Sequence, residues 1–522
     1  MRNCLLLISA PVIILNCVAQ KTVKPNIIYI MSDDHATQAI GVYGSRLAEL
    51  NPTPNIDRLA KNGVIFTNVF CSNSISVPSR ATILTGQYSQ TNGVLDLEGS
   101  LKPENQYLPV EMKKLGYQTA IVGKWHLTEE PASFDYYCVL NGQGEYFDPE
   151  FKTRGKSKWP DNTIKRFGHS TDIITDLGLD WLKNRDKSKP FFLMHQYKAP
   201  HDFFEFAPRY KDYLEDVFIP EPASLYYNYK HGSVATRGAN DSLLGVIASS
   251  ISHRNKIRNM GMHMEIDSAI PDPEYTSLAY QEYLKRYLRC VKGIDDNLQR
   301  LLDYLKHEGL LENTIIIYTS DQGFLLGEHD YIDKRFMYEE SMRMPFIVSY
   351  PKSIKPNTSS DLLINNADFA PTLIEMAGGK VPEYMQGKSF SSVLKGKNPP
   401  ADWRTGTYYR YWMHMAHKHA NPAHFGIRKK NYKLIFYYGT DFIKTGNEEN
   451  EGNRYGPDTP VAWEFYDLKK DKYEMVNRYF DPAYATIIQD LKKQLETLRK
   501  ENNETDERYP HIQAIIDKNW NK

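Results

Sequence analysis

Two pairs of adjacent residues with oxygen ligands are the first feature of the sequence that suggests chemistry. Asp33 and Asp34 follow the apolar run "NIIYIMS", and Asp321 and Gln322 follow the apolar run "TIIIYTS". Three carboxylates gathered in one place repel each other unless a cation offsets their charge. Oxygen ligands without cysteine or a closely spaced histidine pair favour a hard ion, with Ca²⁺ ahead of Mg²⁺. Each pair taken alone is equally consistent with a helix cap or a turn.

A set of basic side chains has a complementary chemistry. Two of them, in "GKWH", lie two residues apart and therefore share one face of a strand end. Fixed cations around a helix N-terminus suit a tetrahedral oxyanion held beside a metal. A single histidine, taken by itself, is more often structural than catalytic. The set comprises Arg80, Lys124, His126, Lys198, His201 and Lys334.

The stretch "SVPSRATILTG", residues 76 to 86, predicts a helix that begins after Ser76 and closes on Thr-Gly. Proline in the first turn is common, and a serine just before it can cap the free N–H groups. The N-terminus of such a helix is also an anion-binding position. From these residues alone, Ser76 is either a cap or a reactive group at the anion site.

The elements that position these residues are predicted from short apolar runs that alternate with helical stretches. This alternation indicates an α/β sandwich in which helices flank a large mixed central sheet. Ligands of open α/β sheets bind beyond the carboxyl ends of the strands, so the polar strand ends are expected to converge. The four buried strands with polar ends are predicted at residues 26–34, 118–126, 191–201 and 314–323.

The chain is predicted to form a large domain and a smaller C-terminal subdomain. Residues 22–395 form the large domain, and residues 223–275, which have no clear period, form an insertion near the site. Residues 396–522 form an α+β subdomain with a short antiparallel sheet. Its strands come from "TYYRYW", "HFGIRKKNYKLIFYY" and "EFYDL", followed by a helix from about Ala483 to Arg499.

The N-terminus is typical of a signal peptide, residues 1–19, because one early arginine precedes a short apolar run. Cleavage after Ala19 predicts an exported, periplasmic protein. Lipidation at Cys17, giving a cell-surface lipoprotein, and secretion are the alternatives. Three cysteines then remain, Cys71, Cys138 and Cys290, so a disulfide framework is not expected.

Composition excludes two classes of partner. Lys plus Arg and Asp plus Glu both number 64, so the formal net charge is zero. Binding to nucleic acid or to an anionic membrane through bulk positive charge is therefore disfavoured. No second apolar run reaches the length of a membrane span.

Several motifs together resemble one family. "SVPSRATILTG" matches the sulfatase signature in its serine form: Cys or Ser, any residue, Pro, any residue, Arg, four residues, Thr-Gly. "GKWH" and "SDQGFLLGEH" match further blocks, so the chain resembles a type I, formylglycine-dependent sulfatase of the alkaline-phosphatase superfamily. "YTSDQGFLLGEHDYIDKRFMYEESMRMPFIV" and "GIRKKNYKLI" are most similar to bacterial N-acetylglucosamine-6-sulfatases. Gln322 departs from the family, where many relatives carry Asn.

The resemblance implies an alkaline-phosphatase-like sandwich and the origin of the nucleophile. Ser76 would be the precursor of a formylglycine, and Pro78 and Arg80 belong to the motif that a sulfatase-maturing enzyme reads. The aldehyde hydrate would attack the sulfur of a sulfated glycan. The implied Ca²⁺ ligands are Asp33, Asp34, Ser76, Asp321 and Gln322.

The resemblance also implies roles for the cations. Arg80, Lys124 and Lys334 would spread the sulfate charge in the transition state. His201 would protonate the departing sugar oxygen, and His126 would take the proton of the second hydroxyl as the aldehyde re-forms.

Specificity is predicted from the "DKR" stretch. Asp333 and Arg335 flank Lys334, and a carboxylate beside a guanidinium can grip vicinal hydroxyls. An ordinary surface salt bridge is the alternative interpretation of this pair. We expect exo-removal of 6-O-sulfate from terminal N-acetylglucosamine, with galactose or N-acetylgalactosamine sulfates as the alternative. The other expected substrate-binding residues are Lys198 and, with Tyr411 at the rim, Trp412 and His424.

Two other classes of protein are consistent with parts of this pattern. A phosphoryl hydrolase or transferase of the same superfamily would use an unmodified Ser or Thr, commonly with zinc-type ligands, and the chain lacks an added histidine-rich set. A non-catalytic glycan-binding relative would result if Ser76 were never converted. Mass spectrometry of the peptide that contains Ser76 separates these alternatives.

Overall fold

The computed structural model describes residues 23–155, 157–226, 231–237, 250–251, 265–445, 452–453 and 456–522. The predicted signal peptide and much of the predicted insertion at 223–275 lie outside these residues. Within the part of the chain so described, no helix has the length and apolar character needed to cross a membrane.

Within the described residues, twenty strands form one large sheet and several small ones. Their bounds are β1 Asn26–Asp33, β2 Val64–Phe66, β3 Val69–Phe70, β4 Gln118–Gly123, β5 Tyr136–Leu140, β6 Glu150–Thr153, β7 Thr163–Lys165, β8 Phe191–Pro200, β9 Thr314–Ser320, β10 Leu325–Leu326, β11 Ile332–Asp333, β12 Phe346–Ser349, β13 Thr358–Ser360, β14 Ile364–Asn365, β15 Gly406–Tyr411, β16 His424–Lys429, β17 Tyr432–Tyr437, β18 Lys444–Thr445, β19 Gly452–Asn453 and β20 Ala462–Asp467.

The helices vary from a single turn to the long α7. Their bounds are α1 Pro54–Lys61, α2 Ser76–Thr85, α3 Ser89–Asn92, α4 Tyr107–Lys114, α5 Ser170–Asn184, α6 Val234–Arg237, α7 Glu274–His307, α8 Glu339–Met342, α9 Phe369–Met376, α10 Ser391–Leu394, α11 Ala485–Glu501 and α12 Pro510–Asn519.

The large sheet has ten strands in the order β13-β2-β12-β9-β1-β8-β4-β5-β6-β7. The four strands predicted to carry polar ends, β9, β1, β8 and β4, are consecutive neighbours and run parallel. They are rich in β-branched and aromatic residues and almost wholly buried, as expected for parallel strands covered on both faces. Their carboxyl ends therefore lie at the same edge of the sheet.

Helices cover both faces of this sheet, because successive side chains of a strand point to opposite sides. In β1, Tyr29 and Met31 pack in the core that includes α2 and α9. Ile28 and Ile30 pack in the core that includes α5 and α7. The predicted α/β sandwich with a large mixed sheet is confirmed.

The C-terminal part contains a separate four-stranded antiparallel sheet, in the order β15-β16-β17-β20. Its apolar face packs with α11 and α12, for example through Phe425, Phe436 and Leu491. The predicted strands and the helix near Ala483 to Arg499 are present, the helix as α11. This agrees with the predicted α+β C-terminal part, whereas the domain boundary at residue 396 stays a prediction.

Candidate functional site

Side chains from five parts of the chain converge at the carboxyl edge of the large sheet. Asp33 ends β1, Lys124 follows β4, His201 follows β8 and Asp321 follows β9. The fifth part is the N-terminus of α2, where the Oγ of Ser76 donates a hydrogen bond to Asp33 Oδ1 over 3.1 Å. The sequence-predicted metal and sulfate residues thus lie together.

The acidic set is packed tightly around Asp34. The backbone N–H of Asp34 donates to Asp321 Oδ1 at 3.2 Å, and the side-chain amide of Gln322 donates to Asp34 Oδ1. Asp33, Asp34 and His201 offer ligand atoms that all lie within 4.8 Å of one another. The amide oxygen of Gln322 is buried and has no hydrogen-bond partner among the described residues. The carboxylates of Asp33 and Asp34 and this carbonyl oxygen are ligands that fit a hard divalent cation, whereas Asp321 is bonded to Arg80 and is not one of the three mutually close groups.

The electrostatics of these acids agree with that fit. Burial, together with the neighbouring carboxylate of Asp33, raises the pKa of Asp321 to about 7, against the opposing charge of Arg80. Burial also raises the pKa of Asp34, although Lys334 opposes the shift. Asp33 is the exception, since Lys124 and other cations outweigh its burial and hold its pKa well below the ordinary value. Burial therefore disfavours the charged forms of Asp34 and Asp321, although a cation contacts each of the three carboxylates.

Ser76 does not cap α2. The N-cap position of α2 belongs to Ile75, which has extended backbone, and no side chain caps this end. Ser76 is the first helical residue, is 2% exposed and bonds to Asp33. The helix ends at Gly86, whose φ of 66° is the left-handed conformation that glycine adopts without strain.

Three cations surround the carboxylates. Arg80 donates from Nε and Nη2 to Asp321 Oδ2 at 3.1 and 2.9 Å. The Lys124 ammonium contacts Asp33 Oδ2, and the Lys334 ammonium lies 2.5 Å from Asp34 Oδ2. Arg80 and Lys124 are almost completely buried, and Lys334 is 6% exposed. Lys334 lines the small pocket beside Ser76, whereas Arg80 and Lys124 are bonded to Asp321 and Asp33 and do not line it.

Two histidines lie at the same edge. His201 Nε2 is 3.7 Å from Asp34 Oδ2, while its Nδ1 faces the carboxylate and the carbonyl oxygen of Asp202. The buried Nδ1 of His126 has no hydrogen-bond partner in the described part of the chain. Burial and the nearby Lys124 charge lower the pKa of His126 well below its usual value, so this imidazole is neutral near pH 7. The neutral imidazole of His126 can accept a proton.

A small pocket connects the candidate nucleophile to the "DKR" stretch. Ser76, His201, Asp333, Lys334 and Arg335 all line it. Arg335 Nε donates to Asp333 Oδ2 at 2.9 Å, and both side chains are buried. The alternative of an ordinary surface salt bridge is therefore not what the structure contains.

All three residues expected at the rim, Tyr411, Trp412 and His424, are fully buried, so their predicted position at the rim was wrong. Trp412 is fully buried beneath Arg410, whose guanidinium carbon lies 3.4 Å from the indole centroid. His424 is fully buried among aromatic rings, including Tyr409 and Tyr437. Both side chains contribute to the packing of the C-terminal part, because an aromatic ring removes more of its surface from water in a core than at a rim.

Lys198 is at the expected end of β8 but is not among the residues that line the small pocket beside Ser76. It is 5% exposed, and its ammonium lies 4.9 Å from the ring centroid of Tyr146. Its substrate-binding role stays a prediction.

Sequence reasoning missed several polar side chains that complete the site. Gln143 accepts from Lys124 at 2.7 Å, and Gln196 accepts from Arg80 at 2.7 Å. His419 lines the pocket, and its Nδ1 is 2.7 Å from Asp333 Oδ2. Asp202 orients His201. Only Asp202 had a sequence signal, its position directly after the predicted histidine.

Comparisons with known proteins agree with this geometry. A family model described as Sulfatase matches residues 25–379. A second model, N-sulphoglucosamine sulphohydrolase, C-terminal, matches residues 327–446. The chain is 39% identical to an N-acetylglucosamine-6-O-sulfatase of Bacteroides thetaiotaomicron, covering 93% of this chain and 88% of the relative. An arylsulfatase of Clostridium perfringens is 26% identical, and the match covers 90% of this chain and 93% of the relative.

A solved structure is also similar along most of the chain. It superposes with a TM-score of 0.81 at 38% identity and covers 92% of this chain and 99% of its own. That protein was solved in complex with its substrate, D-glucosamine-2-N,6-O-disulfate.

Proposed function

As the chain belongs to the sulfatase family, we propose that it is an exo-acting enzyme that removes 6-O-sulfate from terminal N-acetylglucosamine of sulfated glycans. The observation that carries the proposal is the position of Ser76. Its Oγ lies 3.1 Å from Asp33, in the same small pocket as Lys334 and His201. A nucleophile, a cation site and a proton donor thus face one volume.

Two groups complete the chemistry we propose, namely a formylglycine made from Ser76 and a bound Ca²⁺ ion. A formylglycine, made from Ser76 by a maturing enzyme, would supply two hydroxyl groups when hydrated, one as the nucleophile towards sulfur and one whose loss of a proton would allow sulfate to leave. Asp33, Asp34, Asp321 and Gln322, together with the residue at 76, would hold Ca²⁺, which supplies positive charge to the reacting oxygens.

The side chains perform the remaining work. Arg80, Lys124 and Lys334 orient the sulfate and stabilise the charge that develops on its oxygens. His201 Nε2 donates a proton to the sugar oxygen as its bond to sulfur breaks, and Asp202 at Nδ1 keeps the ring in the required orientation. His126, neutral and with a free Nδ1, accepts the proton of the second hydroxyl when sulfate leaves.

The sugar assignment is supported by the pocket and by the relatives. Asp333 and Arg335 form a buried pair beside Lys334, and His419 contacts Asp333 from the other side. Such a cluster can both accept and donate hydrogen bonds to neighbouring hydroxyls. The name of the 39% identical relative and the substrate of the similar solved protein both concern 6-O-sulfated glucosamine.

Export to the periplasm is part of the same proposal, since sulfated glycans are extracellular polymers. The predicted signal peptide, residues 1–19, lies outside the described residues. Fractionation of expressing cells, with sequencing of the mature N-terminus, tests this assignment.

The test of the function is a panel of monosulfated sugars. We expect sulfate release from N-acetylglucosamine 6-sulfate, and mass spectrometry should show that the peptide containing Ser76 has lost two hydrogen atoms. Exclusive cleavage of a 3- or 4-sulfated galactose would refute the sugar assignment. Turnover by a protein whose Ser76 is unmodified would refute the formylglycine mechanism.

A further inference from the structure

The turn between β5 and β6 lies at the catalytic edge of the large sheet. Strand β5 runs parallel to β4, so the turn that follows β5 lies at the same carboxyl edge as Lys124. A hydrogen bond from the N–H of Gly144 to the carbonyl oxygen of Asn141, at 3.0 Å, closes the turn. Gly142 and Gly144, on either side of Gln143, have φ values of 57° and 72°, which glycine adopts without strain. The turn therefore holds the backbone of Gln143 in a defined position.

Two side chains of this loop bond to the proposed catalytic residues. Gln143 Oε1 accepts a hydrogen bond from the Lys124 ammonium at 2.7 Å. Three residues later, the hydroxyl of Tyr146 donates to the carbonyl oxygen of His201. Gln143 also lines the small pocket together with Ser76 and His201. The loop thus places the Gln143 side chain in the same pocket as the residue proposed to become the nucleophile.

Gln143 and Lys124 differ in their access to a ligand. The Lys124 side chain is completely buried and does not line the pocket, and its ammonium is bonded to Asp33 and Gln143. Gln143, in contrast, is exposed and lines the pocket. Its amide nitrogen makes no hydrogen bond within the described residues, so both of its N–H groups are available to a molecule in the pocket.

The contacts around Gln143 favour an anionic acceptor. Its amide oxygen accepts from an ammonium, and hydrogen bonds linked in this way polarise and strengthen one another. A hydrogen bond to an ionised acceptor is roughly twice as strong as one between neutral groups. A chain of contacts leads from Ser76 through Asp33 and Lys124 to Gln143. The acceptor that this position favours is an oxygen of the sulfate group, which must lie beside residue 76 to react.

We propose that Gln143 is a further catalytic residue, whose amide nitrogen donates a hydrogen bond to an oxygen of the sulfate ester while its amide oxygen holds the Lys124 ammonium. Lys124, which does not itself line the pocket, acts on the sulfate through this amide. Asp333 and Arg335, which we propose to bind the sugar, form a separate group with Tyr411. The inference rests on the sulfatase chemistry proposed above and not on which sugar carries the sulfate.

The experiment measures kcat/KM of Gln143→Met and Gln143→Glu on the best sulfated sugar of the panel and on an aryl sulfate. Methionine keeps the length of the side chain and removes both polar groups. Glutamate keeps an oxygen that can accept from Lys124, but it replaces the N–H donors with an oxygen that repels sulfate. Each variant should lose about 10- to 150-fold, the effect of removing one hydrogen bond to a charged group. The loss should be the same on both substrates, because both carry the sulfate group.

Asn141→Ala is the matched control, because Asn141 is exposed on the same turn, donates to Glu150 and does not line the pocket. It should leave kcat/KM unchanged, and the three variants should share the Tm of the parent, since both positions are exposed. Full activity of Gln143→Glu would show that only the bond to Lys124 matters and would overturn the proposal. A loss confined to the sugar substrate would place Gln143 against the sugar and would also overturn it.

A failure of the 6-O-sulfatase assignment would appear elsewhere, as cleavage of a different sugar sulfate by the parent protein. The ratio of variant to parent activity, measured on whichever sulfated sugar the parent cleaves and on the aryl sulfate, would still decide the role of Gln143.

Discussion

Replacing Arg335 should separate recognition of the sugar from chemistry at sulfur. The guanidinium donates to Asp333 Oδ2 and to Tyr411 Oη, both at 2.9 Å, and it lines the pocket beside Lys334. In Arg335→Ala, Ser76 and the cations that we propose to bind sulfate remain. An aryl sulfate, which carries no sugar hydroxyls, should therefore react nearly as well as before.

The size of the effect follows from the bonds that are lost. A hydrogen bond that involves a charged group contributes about 1.5–3 kcal/mol. If one such bond to a sugar hydroxyl is removed in the transition state, kcat/KM on the sugar sulfate falls about 10- to 150-fold. The buried Asp333 keeps His419 as a partner at 2.7 Å, so it is not left as an isolated charge.

The assay compares sulfate release from N-acetylglucosamine 6-sulfate and from an aryl sulfate by the same preparations. Arg335→Lys is the matched control for charge, because lysine keeps the positive charge and loses the planar pair of donors. We expect both variants to lose activity on the sugar selectively. Equal losses on the two substrates would show that Arg335 acts on the sulfate, and the proposed role would be refuted.

Three further predictions concern the metal, the acid and a remote carboxyl. Asp321→Ala should abolish turnover and the rise in Tm on adding Ca²⁺, since a ligand that binds only the native state stabilises it; an active, chelator-resistant variant would contradict the metal assignment. His201→Ala should reduce hydrolysis of sugar sulfates far more than that of aryl sulfates, whose phenolate leaves without a proton; equal losses would make His201 a sulfate-binding residue. Burial raises the pKa of Glu504 to about 7 from an ordinary value of 4.5, against the charge of Arg410. The native state therefore binds more protons between these values, and stability falls as pH rises through them. Urea unfolding should show Glu504→Gln to be more stable than the parent at pH 8, by up to about 3 kcal/mol, with the difference shrinking towards pH 5; a difference independent of pH would contradict the shift.

The strand ends could be predicted from sequence for a simple physical reason. Adjacent parallel strands bring their carboxyl ends to the same edge, so the polar residues that follow β1, β4, β8 and β9 had to meet. That rule needs no knowledge of side-chain packing. It located Asp33, Lys124, His201 and Asp321 from local pattern alone.

The residues that were missed or misplaced depend on tertiary packing instead. Gln143 and His419 come from loops, and no local period indicates that they face Lys124 and Asp333. Trp412 follows β15 directly, where an aromatic residue suits a sugar rim and a core equally well. The stacking of Arg410 on its ring placed it in the core. The sequence near a site therefore identified candidate sugar-binding residues, but it did not predict whether their side chains are exposed.

The complete burial of α2 has a consequence for the order of events in the life of this protein. All ten residues of the helix, from Ser76 to Thr85, are buried, including the Pro78 and Arg80 of the motif. A modifying enzyme must bind the serine and contact the neighbouring motif residues. These residues are not accessible in the folded chain. If Ser76 is oxidised as proposed, the oxidation has to precede folding. A molecule that folds first would then be permanently inactive. The active fraction of a preparation would depend on the rate of modification relative to the rate of folding during synthesis.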